Sequence, residues 1–226
     1  MKNTELQAIL DHHSPEAIID ALEPFVTPRR KGRIEHVLKG RLNGIQLAIE
    51  APSDINNALA AVRTCEAMGV SNIHLITPEG DAGAIRAVTQ GAFYWVNIHT
   101  YPSFEAFSAS LRQTPSQLAG AKMEAPLQLQ DIPINNPLCL MMGNEQRGLS
   151  KQAQEDCDML YSIPMVGMSE SLNLSVSAAI SLYDTTQRKR LALGRQSDLS
   201  ETERSQMQAK YYLRSVSPRL IKALLS

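Results

Sequence analysis

Residues Ile45–Thr77 read IQLAIEAPSDINNALAAVRTCEAMGVSNIHLIT, and this stretch decides the fold class. IQLAIE has the length and apolar character of a strand. In NNALAAVRTCEAMG the apolar residues recur at helical spacing, and Gly69 stands where a helix is closed. NIHLIT is a second strand. The alternation continues toward the C-terminus, with GAIRAVTQ as a helix, WVNIHTY as a strand, SFEAFSASLR as a helix opening on Ser103 and QLAGAKM as a weaker strand. PLCLMM is a strand of the buried type, SKQAQEDCDM a short helix, LYSIPM a strand and SLNLSVSAAISLYDTTQRKR a long helix. Strands that alternate with helices imply an α/β protein whose parallel sheet is covered by helices on both faces. Ligands of such sheets bind beyond the carboxyl ends of the strands, so chemistry is expected in the loops there.

Outside this core the sequence changes character. The first 25 residues read as a loosely attached acidic helix ending at Pro24. After Pro28 comes a basic amphipathic helix, with Ile34, Val37 and Leu38 at helical spacing, ending near Gly40. Residues 197–226 add a polar helix with no place in the sheet. The chain thus divides into an N-terminal helical extension over residues 1–42, an α/β domain over 43–190 and a C-terminal helical extension over 191–226. The formal net charge of −1 hides a segregation. Within residues 28–42, Arg29, Arg30, Lys31, Arg33, Lys39 and Arg41 face a single acid, Glu35. From Gln187 onward nine bases, among them Arg188 and Arg190, outnumber three acids, whereas residues 43–186 carry six bases and fourteen acids. Basic flanks around an acidic middle could grip nucleic-acid phosphates; solvated helix surfaces are the alternative.

Several function classes drop out. With 43% hydrophobic and 20% charged residues the composition is that of an ordinary soluble protein. No apolar run approaches the roughly 18–20 residues of a membrane span, and the first residues lack the apolar core of a secretory signal, so a cytoplasmic protein is expected. Cys65, Cys139 and Cys157 form no C-x-x-C pair and no disulfide framework. His12, His13, His36, His74 and His99 lack metal-ligand spacing, and no metal is expected. Gly80 and Gly83 lie between a strand and a helix without the G-x-G-x-x-G spacing of a dinucleotide loop, which makes a nicotinamide enzyme remote.

Three segments carry more. The first is Asn57-Ala-Leu-Ala-Ala-Val-Arg63-Thr64, on the helix after the first strand. Asn57 and Arg63 are nearly two turns apart and share a side only roughly. An arginine in an apolar helical stretch needs a partner if buried, although a surface position is the plain alternative. The second is Gly143-Asn144-Glu145-Gln146-Arg147-Gly148-Leu149-Ser150, directly after PLCLMM. Its glycines permit a tight turn and close backbone approach to a ligand; an ordinary loop is the alternative. The third is Ile163-Pro164-Met165-Val166-Gly167-Met168-Ser169-Glu170-Ser171-Leu172-Asn173-Leu174-Ser175-Val176-Ser177-Ala178-Ala179. It runs from a strand through a loop into a helix whose Ser175, Ala178, Ala179 and Leu182 share one face, suited to close packing.

In order and spacing these segments resemble the three motifs of the SpoU family of RNA 2′-O-methyltransferases, over roughly residues 45–190. IPMVGMSESLNLSVSAA and GNEQRG are the most specific parts. The resemblance implies a SPOUT fold, an α/β domain with a deep C-terminal trefoil knot, placed here on approximately residues 138–190, and a homodimer. It is strongest toward the TrmH branch, which methylates guanosine 18 in the D-loop of tRNA. Basic helical extensions at both ends, used by that branch to hold tRNA, correspond here to Arg29, Arg30, Lys31, Arg33, Lys39, Arg41, Arg188 and Arg190. Ribosomal RNA as substrate, or an RNA-binding member without catalysis, are the rival readings. This chain departs from the family at Ile55-Asn56, where Pro-His usually precedes the asparagine, and across LAGAKMEAPLQLQDI.

The same resemblance implies the site. Its catalytic set falls on Asn57, Arg63, Glu145, Ser171 and Asn173. S-adenosyl-L-methionine would be held largely by backbone groups at Gly120, Gly143, Ile163 and Leu172. Arg63 corresponds to the residue credited with activating the ribose hydroxyl. A guanidinium keeps its proton in proteins, so a substrate phosphate steered by Arg63 is the easier proton acceptor. Glu145 is expected to hold Arg63 by a charge-assisted pair.

Overall fold

The computed structural model describes residues 3–77 and 91–225, so the expected helix GAIRAVTQ and the loop carrying Gly80 and Gly83 lie outside the described residues. The chain forms two compact units, one from residues 42–195 and one from residues 1–41 together with 196–226.

The larger unit is a seven-stranded parallel sheet. Its strands are β1 (Leu42–Glu50), β2 (Val70–Ile76), β3 (Asn97–Tyr101), β4 (Gln117–Ala121), β5 (Leu127–Gln128), β6 (Leu138–Met142) and β7 (Met159–Ser162). They lie in the order β3-β2-β1-β6-β4-β7-β5, and every pairing is parallel. The expected strands are all present. β5 is an addition that two residues could not announce by pattern. Trp95, expected in a strand, instead ends a 3-10 turn over Gly91–Trp95.

Period-two alternation sends side chains to both faces. Leu47, Ile49, Leu75, Leu140 and Met142 enter one core with Ala58, Ala61, Val62 and Cys65 of α4 (Ile55–Met68). Ala48, Ile76, Cys139 and Met141 enter the other with Phe104, Phe107 and Leu111 of a helix over Phe104–Leu111. A short helix over Lys151–Asp156 adds Ala153 to that second core, while a long one over Leu174–Leu193 brings Leu174, Ala178 and Leu182 to the first and packs along α4. These three helices are α5, α6 and α7 in chain order. Local chemistry sets their ends. Gly69 closes α4 at φ 83°, a left-handed conformation that costs glycine little. Ser103, Ser150 and Asn173 cap α5, α6 and α7 by accepting from backbone N–H groups of the first turn.

The end of α7 has an internal use. Arg188 donates to Asp184 and to the carbonyls of Ile132 and Leu129 at 2.7 and 2.9 Å. Lys189, buried, donates to the carbonyls of Ile134 and Asn135. Arg190 donates to the Met68 carbonyl at 2.8 Å. Backbone carbonyls that lack strand partners are thereby satisfied.

On the α5 side, His74 is held between Gln46 (2.7 Å) and the Tyr101 hydroxyl (3.1 Å) and stacks on His99 at 5.1 Å. Burial, then the His99 charge, pulls its pKa down to about 3. The folded state therefore binds fewer protons than the unfolded state between pH 3 and the unfolded value near 6.5. Stability on this account is complete above pH 6.5 and declines as pH falls toward 3. A loss on the order of a few kcal/mol is expected across that window, read as a falling denaturant midpoint. A His74→Gln variant should show a flatter acid limb, and an equally steep one would remove His74 as its source.

The smaller unit contains α1 (Asn3–His12), α2 (Pro15–Leu22), α3 (Pro28–Leu38), α8 (Glu201–Leu213) and α9 (Pro218–Leu225). The single N-terminal helix expected from sequence is broken. Ser14 caps α2, Pro15 occupies its first position, and residues 23–25 turn off as a 3-10 segment. Nor is it loosely attached, since α1, α2 and α3 pack against α8, and Leu6, Ile18, Leu22, Ile34 and Leu38 are buried. Arg41 differs from its expected place on a phosphate-binding surface. It is 0% exposed, donates to the Tyr211 hydroxyl at 3.0 Å and lies over the Tyr211 ring.

Candidate active site

β1 and β6 are neighbours paired up to their carboxyl ends, with Ile49 opposite Met142. The loop entering α4 and the Gly143–Gly148 loop therefore leave the sheet side by side at its carboxyl edge. Gly143 makes this second loop possible. A Cβ there would lie 2.2 Å from the backbone of Gly148 and 2.3 Å from that of Leu149. Asn144 and Gly148 close the loop with reciprocal backbone hydrogen bonds of 3.0 and 2.8 Å.

Glu145 projects from this loop toward α4. One carboxylate oxygen accepts from the Ser53 backbone N–H at 2.7 Å, and the other from the Asn57 side-chain amide at 2.9 Å. Partial burial works to raise its pKa, but the hydrogen bonds from Ser53 and Asn57 outweigh it and hold the carboxyl below its ordinary value. The Asn57 oxygen in turn accepts from the Asn173 side chain at 3.0 Å, and Asn173 caps α7 through Ser175 and Val176. Three of the expected catalytic residues, one from each motif segment, thus form one hydrogen-bonded chain.

The other two stand apart. Arg63 is exposed on α4 and has no hydrogen bond or ion pair among the described residues. Its expected pair with Glu145 is absent, and the Glu145 oxygens accept instead from Ser53 and Asn57. Ser171 is exposed in the loop before α7. Ser53 and Asn144 were not among the expected site residues. The only local signal for either is the tendency of asparagine to hydrogen-bond the backbone two or three residues on.

The expected cofactor positions converge through the sheet. β4 lies between β6 and β7, and Gly120 pairs with Met141 on one side and Leu160 on the other. Gly143 and Ile163 follow β6 and β7, so these three positions emerge from adjacent strands. Gly120 is tightly enclosed, since an added Cβ would meet Leu149, Cys157 and Leu160 side chains within 3.0 Å. Ile163 and Leu172 are half-buried. Backbone-lined, glycine-dependent walls of this kind suit a ligand recognised by main-chain groups. The nearby Cys157 thiol is pushed up to about 12 by burial and then by Asp158 and Asp156. Among the described residues no group of three or more His, Cys, Asp or Glu is placed to hold a metal, and no described helix is long and apolar enough to cross a membrane.

Residues 44–183 match the profile of the SpoU rRNA Methylase family. The chain is 31% identical to a tRNA (guanosine(18)-2′-O)-methyltransferase of Borreliella burgdorferi, over 86% of this chain and 89% of that protein. Among solved structures it is similar to the TrmH/SpoU tRNA modifying enzyme of A. aeolicus, with a TM-score of 0.70 and 29% identity, covering 87% of this chain and 98% of that one. It is also similar to an AdoMet-bound rRNA methyltransferase from Sinorhizobium meliloti, with a TM-score of 0.58 and 25% identity, over 66% of this chain and 57% of that one.

Proposed function

The chain belongs to the SpoU rRNA Methylase family, and from that premise we propose that it methylates the ribose 2′-hydroxyl of guanosine 18 in tRNA, using S-adenosylmethionine. The observation that carries the reading is the Glu145–Asn57–Asn173 chain, which joins all three motif segments at the carboxyl edge of the sheet. The cofactor supplies a methyl group already activated on a sulfonium. Gly120, Gly143, Ile163 and Leu172 would hold it.

The residues of the chain then have two tasks, aligning the hydroxyl and disposing of its proton. Asn57 is locked by Glu145 and Asn173, so its amide is presented to the ribose in one orientation, and alignment of this kind is worth several kcal/mol. Ser171 and Asn173 add neutral hydrogen-bonding groups. Glu145, held ionised by its two donors, orients Asn57 rather than Arg63. Arg63 thus keeps its guanidinium for the substrate, where it steers a phosphate that accepts the hydroxyl proton.

The basic helix α3 is proposed to hold the tRNA. Arg29, Arg30 and Arg33 are exposed along it. Lys31 and Lys39 pair with Glu23 and Glu35 at the surface, where such pairs exchange readily for phosphate. Arg41 is buried, and the half-buried Arg188 and Arg190 are engaged by backbone carbonyls. Deleting residues 1–41 is a poor test, because they fold with residues 196–226. The triple replacement of Arg29, Arg30 and Arg33 by alanine should weaken tRNA binding about tenfold or more. It should also reduce the slope of log affinity against log salt by roughly 2–3. Unchanged affinity and slope would remove α3 from the RNA surface.

Two finer features complete the proposal. Val166, Met168, Ile180 and Tyr183 are exposed, Val166 and Met168 completely, and a second copy of the chain would cover them. Sedimentation at the 24.9 kDa of one chain would count against this homodimer. A deep trefoil knot over roughly residues 138–190 is supported by the strand order, in which β4 lies between β6 and β7 although it precedes both; an experimental structure tests it. A cytoplasmic location is proposed along with the tRNA substrate. The rival substrate, ribosomal RNA, is separated by offering labelled cofactor with unmodified tRNA and, in parallel, with unmodified rRNA. Label in rRNA alone would overturn the tRNA reading.

A further inference from the structure

We propose that Asn144 is a positioning residue for methyl transfer, pinning the loop that enters α4 so that Glu145 can orient Asn57; the proposal rests on the function argued above. Asn144 is buried and uses its whole side chain. Its amide nitrogen donates to the Ala51 carbonyl at 2.7 Å and the Ser53 hydroxyl at 2.8 Å. Its oxygen accepts from the backbone N–H groups of Gln146 and Arg147 at 2.9 and 3.0 Å. One side chain thus ties the loop after β6 to the loop after β1.

The loop it reaches needs a tie. Ala51 has φ 45°, a left-handed conformation unfavourable for a residue with a Cβ. Its N–H is held by the Ile76 carbonyl at 2.8 Å, and its carbonyl is held by Asn144. Two residues on, the Ser53 N–H donates to Glu145. Asn144 therefore fixes both the strained residue and the hydroxyl of the residue that anchors Glu145. It makes no hydrogen bond to Asn57, Arg63, Ser171 or Asn173, so its influence on the reaction runs through Ser53 and Glu145. Only an amide can donate to one loop and accept from the other here. An aspartate of the same size would keep the two accepted bonds, lose both donated ones and set a negative charge against the Ala51 carbonyl.

The test is Asn144→Asp in the full chain, with methyl transfer to unmodified tRNA measured at varied cofactor and tRNA. The expected result is a kcat lowered about thirtyfold or more, with the KM for S-adenosylmethionine changed less than about threefold and cooperative unfolding retained. Combined with Glu145→Gln, the double variant should lose no more than the worse single variant, since both act on Asn57. Wild-type kcat in Asn144→Asp, additive losses in the double variant, or a fall in kcat matched by lost cofactor binding would each overturn the role. If Asn144→Asp does not fold, Ser53→Ala decides. It removes one of the two acceptors, and kcat should fall about threefold at unchanged cofactor affinity; no change would overturn the proposal. The wild-type chain run in parallel separates the two levels. Absence of transfer by the wild type overturns the function itself, whereas full transfer by the variant overturns only the role of Asn144.

Discussion

Arg63→Ala is expected to abolish methyl transfer while leaving S-adenosylmethionine binding within about twofold of the wild type. Glu145 has both oxygens committed to Ser53 and Asn57 and is held ionised. Cys157 is raised to about 12 and Tyr161 is raised further by burial. His74 lies on the α5 side with both ring nitrogens engaged. The thiol and the phenol keep their protons at neutral pH, and Glu145 is occupied in orienting Asn57. Arg63, exposed and unengaged among the described residues, is the cation proposed to direct a substrate phosphate to that task. Loss of a donor used chiefly in the transition state costs about 10²–10³ in kcat. Arg63→Lys keeps the charge but loses the planar fork and should recover only part of the rate. Wild-type kcat in Arg63→Ala would exclude the role, and loss of cofactor binding would move Arg63 from the reaction to the cofactor.

Gly143→Ala should be nearly as damaging by a different route. The new Cβ would stand 2.2–2.5 Å from backbone atoms of Gly148 and Leu149, none of which can swing aside as a side-chain tip would. The loop must open, and the Asn144–Gly148 bonds and the approach of Glu145 to Asn57 open with it. Cofactor affinity is expected to fall more than about tenfold, ~1.4 kcal/mol, and transfer to fall below detection. Gly148→Ala is the control. At φ 67° it is strained by roughly 1–2 kcal/mol, but its Cβ meets nothing within 4 Å, so it should retain most cofactor binding. Equal effects from the two substitutions would mean that backbone strain, not closure of the loop on itself, is what the site depends on.

The contrast between these two glycines shows where sequence is readable. Gly69, Ser103 and Ser150 end or begin helices through contacts a few residues away, so their roles follow from local spacing. The parallel sheet follows from alternation for the same reason. The partners of Glu145 lie 88 and 92 residues away, and the backbone carbonyls that Arg188 grips lie 56 and 59 away. Nothing local distinguishes an arginine that grips backbone carbonyls from one that grips phosphate. Charge counting therefore grouped Arg41, Arg188 and Arg190 with the exposed arginines of α3, although Arg41 is buried against Tyr211 and the other two donate to backbone carbonyls. Motif resemblance reached further than local physics, naming Asn57, Glu145 and Asn173, which the fold does bring together. It could not name Asn144 or Ser53 as working parts, because their contribution is made through bonds between loops.

The central claim is methyl transfer to one ribose oxygen. It is tested most directly with two tRNAs that differ only at guanosine 18, one carrying the 2′-hydroxyl and the other 2′-deoxyguanosine. Each is incubated with the chain and labelled S-adenosylmethionine, then digested and mapped. Label confined to the ribose of guanosine 18 in the first tRNA, and none in the second, is the predicted result. Label retained by the deoxy substrate, label on a base, or no transfer to either tRNA would contradict the account.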